Sequence, residues 1–124
     1  MPHHNLVVFV TASSADEAET IASAMVEERL AACANLVPSV ASIFRWKGRI
    51  EREEEVLIIL KSRRLLLDRL IERVGELHSY EVPEVVALPI VGGSDAYLDW
   101  LRQETEPVSR VTPRDRRGPF GPGF

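Results

Sequence analysis

The chain reads as an α+β domain whose elements follow the order β-α-β-β-α-β, with one further helix near the C-terminal end. Three observations predict this. Uncharged apolar runs at 6–10, 56–60 and 85–90 have the length and the β-branched composition of strands. Two stretches, around Ile21 and around Leu70, instead repeat their apolar residues at helical spacing. Lys47-Gly48 places a tight-turn signal between two long strand-like segments.

The first strand, Leu6-Val7-Val8-Phe9-Val10, carries no charge and no alternation, which predicts a strand covered on both faces. Ser14 then precedes Ala15-Asp16-Glu17, a capping box with acids in the first turn, where the helix dipole favours them. Ala18, Ile21, Ala22, Met25 and Val26 form one apolar stripe of a helix expected to end near Leu30. Residues 33–46 read as a long second strand with a bulge at Pro38, because proline cannot donate to a ladder. After the turn, a third strand runs over 49–61, charged at first and apolar at its end, so the two strands form a long hairpin. Leu66, Leu67, Leu70, Ile71, Val74 and Leu77 define a second helix. Pro83 disfavours helix at Val82, so the chain leaves the helix near His78 and enters the last strand, 85–90, around Glu84. Gly92-Gly93 ends that strand, and Ser94 or Asp95 caps a short helix with Ala96, Tyr97, Trp100 and Leu101 on its apolar side.

This order is the ferredoxin-like split βαβ arrangement, with two helices on one face of a four-stranded antiparallel sheet. Such a sheet leaves its second face to water, and its strands should alternate. Residues 6–10 and 56–60 do not. A second copy of the chain, packed sheet against sheet in a closed symmetric oligomer, is the economical cover.

With 45% hydrophobic and 27% charged residues in 124, the composition fits one globular domain over 1–105. Residues 106–124, with four prolines, three glycines and four arginines, read as a disordered tail. The net charge of −4, with the basic excess confined to the tail, argues against a nucleic-acid surface. RNA-recognition domains share the strand order, but basic charge and stacking aromatics on the central strands are missing. No apolar stretch approaches the roughly 18–20 residues that span a bilayer. A single cysteine, Cys33, forms no intrachain disulfide, and no signal-peptide pattern opens the sequence, so the expected location is cytoplasmic. Neither a nucleophile beside a base nor paired carboxylates around a cleft stand out, so no catalysis is expected.

Site candidates concentrate at His78-Ser79-Tyr80-Glu81-Val82-Pro83-Glu84, which brings an imidazole, a phenol and carboxylates to a helix-to-strand junction. This segment, the run Glu27-Glu28-Arg29-Leu30-Ala31-Ala32-Cys33-Ala34-Asn35, the hairpin tip Phe44-Arg45-Trp46-Lys47-Gly48-Arg49-Ile50 and Tyr97-Leu98-Asp99-Trp100-Leu101 together resemble the signature blocks of the CutA divalent-cation tolerance family. The resemblance covers residues 6 to about 103. It implies a ferredoxin-like subunit, similar in fold to the PII signalling proteins, assembled as a homotrimer and associated with copper and other divalent cations.

Members implicated in copper binding resemble one another in a cysteine at the end of the first strand and two adjacent histidines at the junction. Here Val10 and Leu77-His78 stand in those places, leaving one imidazole. His78 is therefore read first as a helix C-terminal residue favourable to the dipole, and second as a metal ligand helped by Glu81. A separate Cu(II) or Ni(II) site is conceivable at the N-terminus. If Met1 is removed, Pro2-His3-His4 offers an amine, two amides and the His4 imidazole in a square plane, with His3 beside it. Cys33, among alanines, is expected in the core. Glu51, Glu53, Glu54 and Glu55 are read as a solvated strand edge. By analogy with the PII proteins, Lys61, Tyr80 and Glu81 are candidates to line a cleft for an anionic ligand. Phe44, Trp46 and Trp100 are expected at a subunit interface.

Overall fold

The computed structural model describes residues 4–107. Strand β1 (Asn5–Ala12) leads into helix α1 (Ala15–Glu27), followed by β2 (Cys33–Trp46) and β3 (Arg49–Arg63). A 3-10 turn over Arg64–Leu66 then enters α2 (Leu67–Leu77), and β4 (Val85–Pro89) and α3 (Asp95–Glu104) complete the fold. The four strands form one antiparallel sheet in the order β2-β3-β1-β4, so the ferredoxin-like expectation holds.

Period-2 geometry sends alternate residues to opposite faces. On one face Leu6, Val8, Val10, Val56, Ile58 and Leu60 pack under Ile21, Met25, Leu70 and Val74 of the two helices, and all of these are buried. Val7, Phe9, Leu57 and Ile59 point the other way and are only partly covered. The expected burial of β1 on both faces is therefore not met by the described residues of one chain. The cross-strand partners of these residues, Val37, Val86 and Leu88, extend the bare surface, the last two 49% and 53% exposed.

Helix α1 stops three residues before the expected Leu30. Arg29 adopts the left-handed φ of 60°, its N–H donates to the Val26 carbonyl, and the Leu30 N–H donates to the Met25 carbonyl. That is a Schellman closure with arginine where glycine is usual, and Leu30 packs into the core beside Met25. The Ser14 cap forms as expected, but the Glu17 carboxylate reaches Ser13 rather than closing a box on Ser14. The register of the β2–β3 ladder shifts between Val37 and Val40, placing the bulge at Pro38. Lys47 and Gly48 both have positive φ, 52° and 81°, the two-residue turn whose twist matches the strands.

β3 pairs with β1 only from Val56 onward. Residues 49–55 pair with β2 alone, so the hairpin extends past the sheet as an arm of roughly 23 Å, at about 3.3 Å per residue. At the opposite end, α3 is held by side chains from elsewhere. Arg63 donates to the Thr105 hydroxyl (2.7 Å) and carbonyl (3.0 Å), and Arg29 donates to the carbonyls of Glu104 (3.1 Å) and Glu106 (3.3 Å). Two cations on the last carbonyls also suit the negative end of the helix dipole. Of the apolar side expected for α3, Leu101 is fully buried, Tyr97 and Trp100 are half-buried against each other, and Ala96 is exposed. The expectation for the tail falls on residues outside those described, apart from Glu106 and Pro107.

Candidate functional site: an acidic cleft beneath the hairpin arm

The arm and the junction between α2 and β4 enclose a cleft of about 590 Å³. One wall is the arm, where Phe44 stands directly across from Glu51, with Trp46 and Glu53 on the same side. The other is Ser79, Tyr80, Glu81 and Val82, with Ser13 from the turn before α1. Among the described residues three carboxylates line this space and no basic side chain does. Phe44 and Trp46 are 38% and 40% exposed, and Lys47 places its ammonium 5.6 Å from the Trp46 ring.

The junction wall is held by hydrogen bonds that link elements far apart in sequence. The His78 side chain is fully buried. Its Nδ1 accepts the Tyr80 backbone N–H at 3.0 Å, which makes Nε2 the donor to the Thr11 carbonyl at 2.6 Å. Both ring nitrogens are thus engaged, and metal ligation would require one of these bonds to break. His78 does not line the cleft, whereas Glu81 does, so the pair considered as a metal site is divided between the interior and the cleft wall. Burial alone would push the Glu17 carboxyl up, but donors from Ser13 and Ser79 outweigh it and hold the group down at about 2. The Tyr80 hydroxyl donates to Glu55 at 2.7 Å; burial first, and then this carboxylate, push the phenol above its ordinary value.

The residues considered for an anionic ligand do not converge. Tyr80 and Glu81 line the cleft, but Lys61 lies six positions along β3 from Glu55, roughly 20 Å away at 3.3 Å per residue. Its ammonium donates to Asn35 Oδ1 at 2.8 Å. Cys33, directly opposite Lys61, is half-buried rather than in the core; it is beside Tyr97, whose phenol is pushed up by burial and then by this thiol. The expected solvated edge is corrected at one position, because Glu55 is buried. His4 is exposed and its carbonyl accepts the Arg64 N–H at 2.8 Å, while His3 lies outside the described residues. Among the described residues no group of three or more His, Cys, Asp or Glu side chains is arranged to hold a metal ion, and no helix is long and apolar enough to cross a membrane.

Sequence reasoning missed Ser13, and it read Glu17 only as a capping acid and Glu55 only as part of a solvated edge. A second serine just before the N-cap marked Ser13. Glu55 is the last acid before the apolar half of β3, where burial begins.

Fold and site together define a ferredoxin-like α+β subunit with one bare apolar sheet face and an acidic cleft under a protruding hairpin. The family model for CutA1 divalent ion tolerance protein matches residues 6–104, and the chain belongs to that family. It is similar to the divalent-cation tolerance protein CutA of Thermus thermophilus, 52% identical over 99 residues that make up 80% of this chain and 96% of the relative. The chloroplastic CutA of Arabidopsis thaliana is 46% identical and human CutA 50% identical, each over 101 residues. These alignments span 82% of this chain but only 56% of each of those relatives, about half their length. Among solved structures, the Thermus thermophilus Cut A1 protein superposes with a TM-score of 0.81 at 50% identity, covering 82% of this chain and 99% of that one. CutA1 from Oryza sativa gives 0.81 at 42% identity, covering 85% and 96%.

Proposed function

We propose that this protein is a non-catalytic, homotrimeric divalent-cation tolerance protein whose acidic cleft receives the cation. Family membership supports the tolerance role, and the single observation that carries the cation reading is the carboxylate lining by Glu51, Glu53 and Glu81 with no basic side chain among the lining residues. Such a surface repels anions and concentrates divalent cations. The geometry favours this reading over the anionic-ligand alternative, whose lysine is remote. Carboxylates alone discriminate little among divalent ions, so affinity follows the general order in which Cu(II) binds tightest.

The trimer reading rests on the bare face of Val7, Phe9, Leu57, Ile59, Val86 and Leu88, an apolar surface too continuous to be left in water. Phe44 and Trp46 on the arm, together with Trp100, are the aromatic anchors proposed for the contacts between copies. A binding role also agrees with the chemistry of the junction. His78 has no uncommitted nitrogen to act as a base, and the Tyr80 phenol is tied to Glu55 and resists ionisation.

Light scattering and Cu(II) calorimetry on the full chain test this. The expected result is a mass three times that of the chain and a binding heat that falls sharply in the Glu51→Gln/Glu53→Gln/Glu81→Gln variant. A monomer at micromolar concentration would overturn the assembly, and unchanged heat in the variant would overturn the cleft.

A further inference from the structure

The acidic cleft is also aromatic, and the two kinds of side chain alternate in a fixed pattern. Along the cleft side of the arm, from the tip inward, the ladder pairs Trp46 with Arg49, Phe44 with Glu51 and Ser42 with Glu53. Glu51 and Glu53 are two positions apart on one face of β3, about 6.6 Å at 3.3 Å per residue. Phe44 is directly across from the first carboxylate and diagonal to the second, and Trp46 is diagonal to the first, within reach of an aromatic side chain. None of Glu51, Glu53 and Glu81 has an ion-pair partner among the described residues.

The opposite wall presents a third ring. Tyr80 is held at both ends, its hydroxyl on Glu55 at 2.7 Å and its ring against the fully buried His78 imidazole, centroids 4.6 Å apart. That wall is ordered before any ligand arrives, which lowers the cost of binding. Trp46 already attracts a cation, since the Lys47 ammonium is 5.6 Å from its ring, a separation at which cation–π attraction operates.

A metal ion needs oxygen or nitrogen ligands converging on one point, and among the described residues no group of three or more His, Cys, Asp or Glu side chains is so arranged. An organic cation makes a different demand. Its ammonium groups are attracted by carboxylates and by aromatic faces, and its methylene groups are removed from water by the same rings. A cleft of about 590 Å³ has room for one.

We propose that the cleft takes an aliphatic diammonium cation, with its two ammonium groups against Glu51 and Glu53, its methylene chain between the Phe44 and Tyr80 rings of the two walls, and Trp46 beside the ammonium at Glu51. The inference rests on the cation reading of the cleft and adds to it a class of ligand that the aromatic lining selects. The spacing of the two carboxylates is about that of the nitrogens in extended 1,4-diaminobutane.

Calorimetric titration of the full chain with 1,4-diaminobutane, with 1-aminobutane and, separately, with Cu(II) tests this. The unchanged protein should bind the diamine about fivefold more tightly than the monoamine, the gain from a second ion pair. In Phe44→Leu/Trp46→Leu, which keeps all three carboxylates, diamine affinity should fall about tenfold while the Cu(II) heat stays the same. Equal affinity for the two amines would overturn the proposal, and this comparison needs no substitution, so it stands even if the variant fails to fold. A folded aromatic variant that holds the diamine as tightly as before would overturn it as well. Cu(II) binding without diamine binding would overturn this inference and leave the metal reading in place, whereas diamine binding without Cu(II) binding would support this inference and remove the metal from the cleft.

Discussion

Ile58 and Ile59 are neighbours in β3, yet Ile58 is fully buried beneath the helices while Ile59 faces the bare side and is only partly covered. The same contrast separates Val8 from Phe9, and a weaker form of it separates half-buried Val85 from exposed Val86. The covered face obtains its burial from α1 and α2, elements of the same chain, and so supplies the stability of the subunit. The bare face has apolar residues of the same kind with nothing among the described residues laid over most of them. Equal hydrophobicity on two faces therefore serves folding on one and, in the proposed assembly, association on the other.

The covered face gives the largest expected effect. Ile58→Ala should lower the unfolding free energy by about 3 kcal/mol in urea titration, the sum of lost transfer energy and a residual cavity. A loss below about 1 kcal/mol would mean that the core collapses around the deletion or that Ile58 is less enclosed than it is here. Ile59→Lys should separate the faces most cleanly. Far-UV circular dichroism should remain that of a folded subunit while light scattering falls from the mass of the proposed trimer to that of the single chain. A lysine variant that stays trimeric would place the association surface elsewhere.

The polar end of the covered side supplies two smaller effects. Tyr80→Phe removes the donor to buried Glu55 and should cost about 1–2 kcal/mol, because the carboxylate keeps its desolvation and loses its hydrogen bond. Isothermal urea melts at neutral pH measure it, and no change would show that water replaces the phenol. The smallest effect is a slope. Glu17 is held at about 2 against an ordinary value of 4.5, so its contribution to stability is complete above pH 4.5 and is lost as pH falls toward 2. Glu17→Gln should therefore show a flatter decline in stability between pH 4.5 and 2 than the unchanged protein. An identical acid limb in both would mean that Ser13 and Ser79 do not hold the carboxylate in solution.

Element order was legible in the chain because its signals are local. The apolar run of β1, the Ser14 cap, the Lys47-Gly48 turn, the bulge at Pro38 and the stop of α2 at Leu77 each follow from the few residues around them. Even the bare face could be inferred, since strands without alternation must be covered twice. The end of α1 was less legible, because a non-glycine residue closes it, and the left-handed Arg29 is stabilised by the fit of Leu30 into the core.

The candidate site was only half legible. The segment from Ser79 to Val82 and the aromatic arm are evident as composition, but their meeting across one cleft depends on how far the hairpin outruns β1. Glu17 meets Ser79, His78 meets Thr11 and Tyr80 meets Glu55 across 62, 67 and 25 residues of chain, and no sequence period encodes such distances. Lys61 shows the converse, a plausible partner in sequence that the register of β3 carries to the other end of the sheet. The sequence by itself determined which elements form and which faces are apolar, because both follow from backbone geometry and side-chain spacing. Tertiary structure alone decided which titratable groups are buried, paired or left in the cleft, because each needs partners brought in by separate elements.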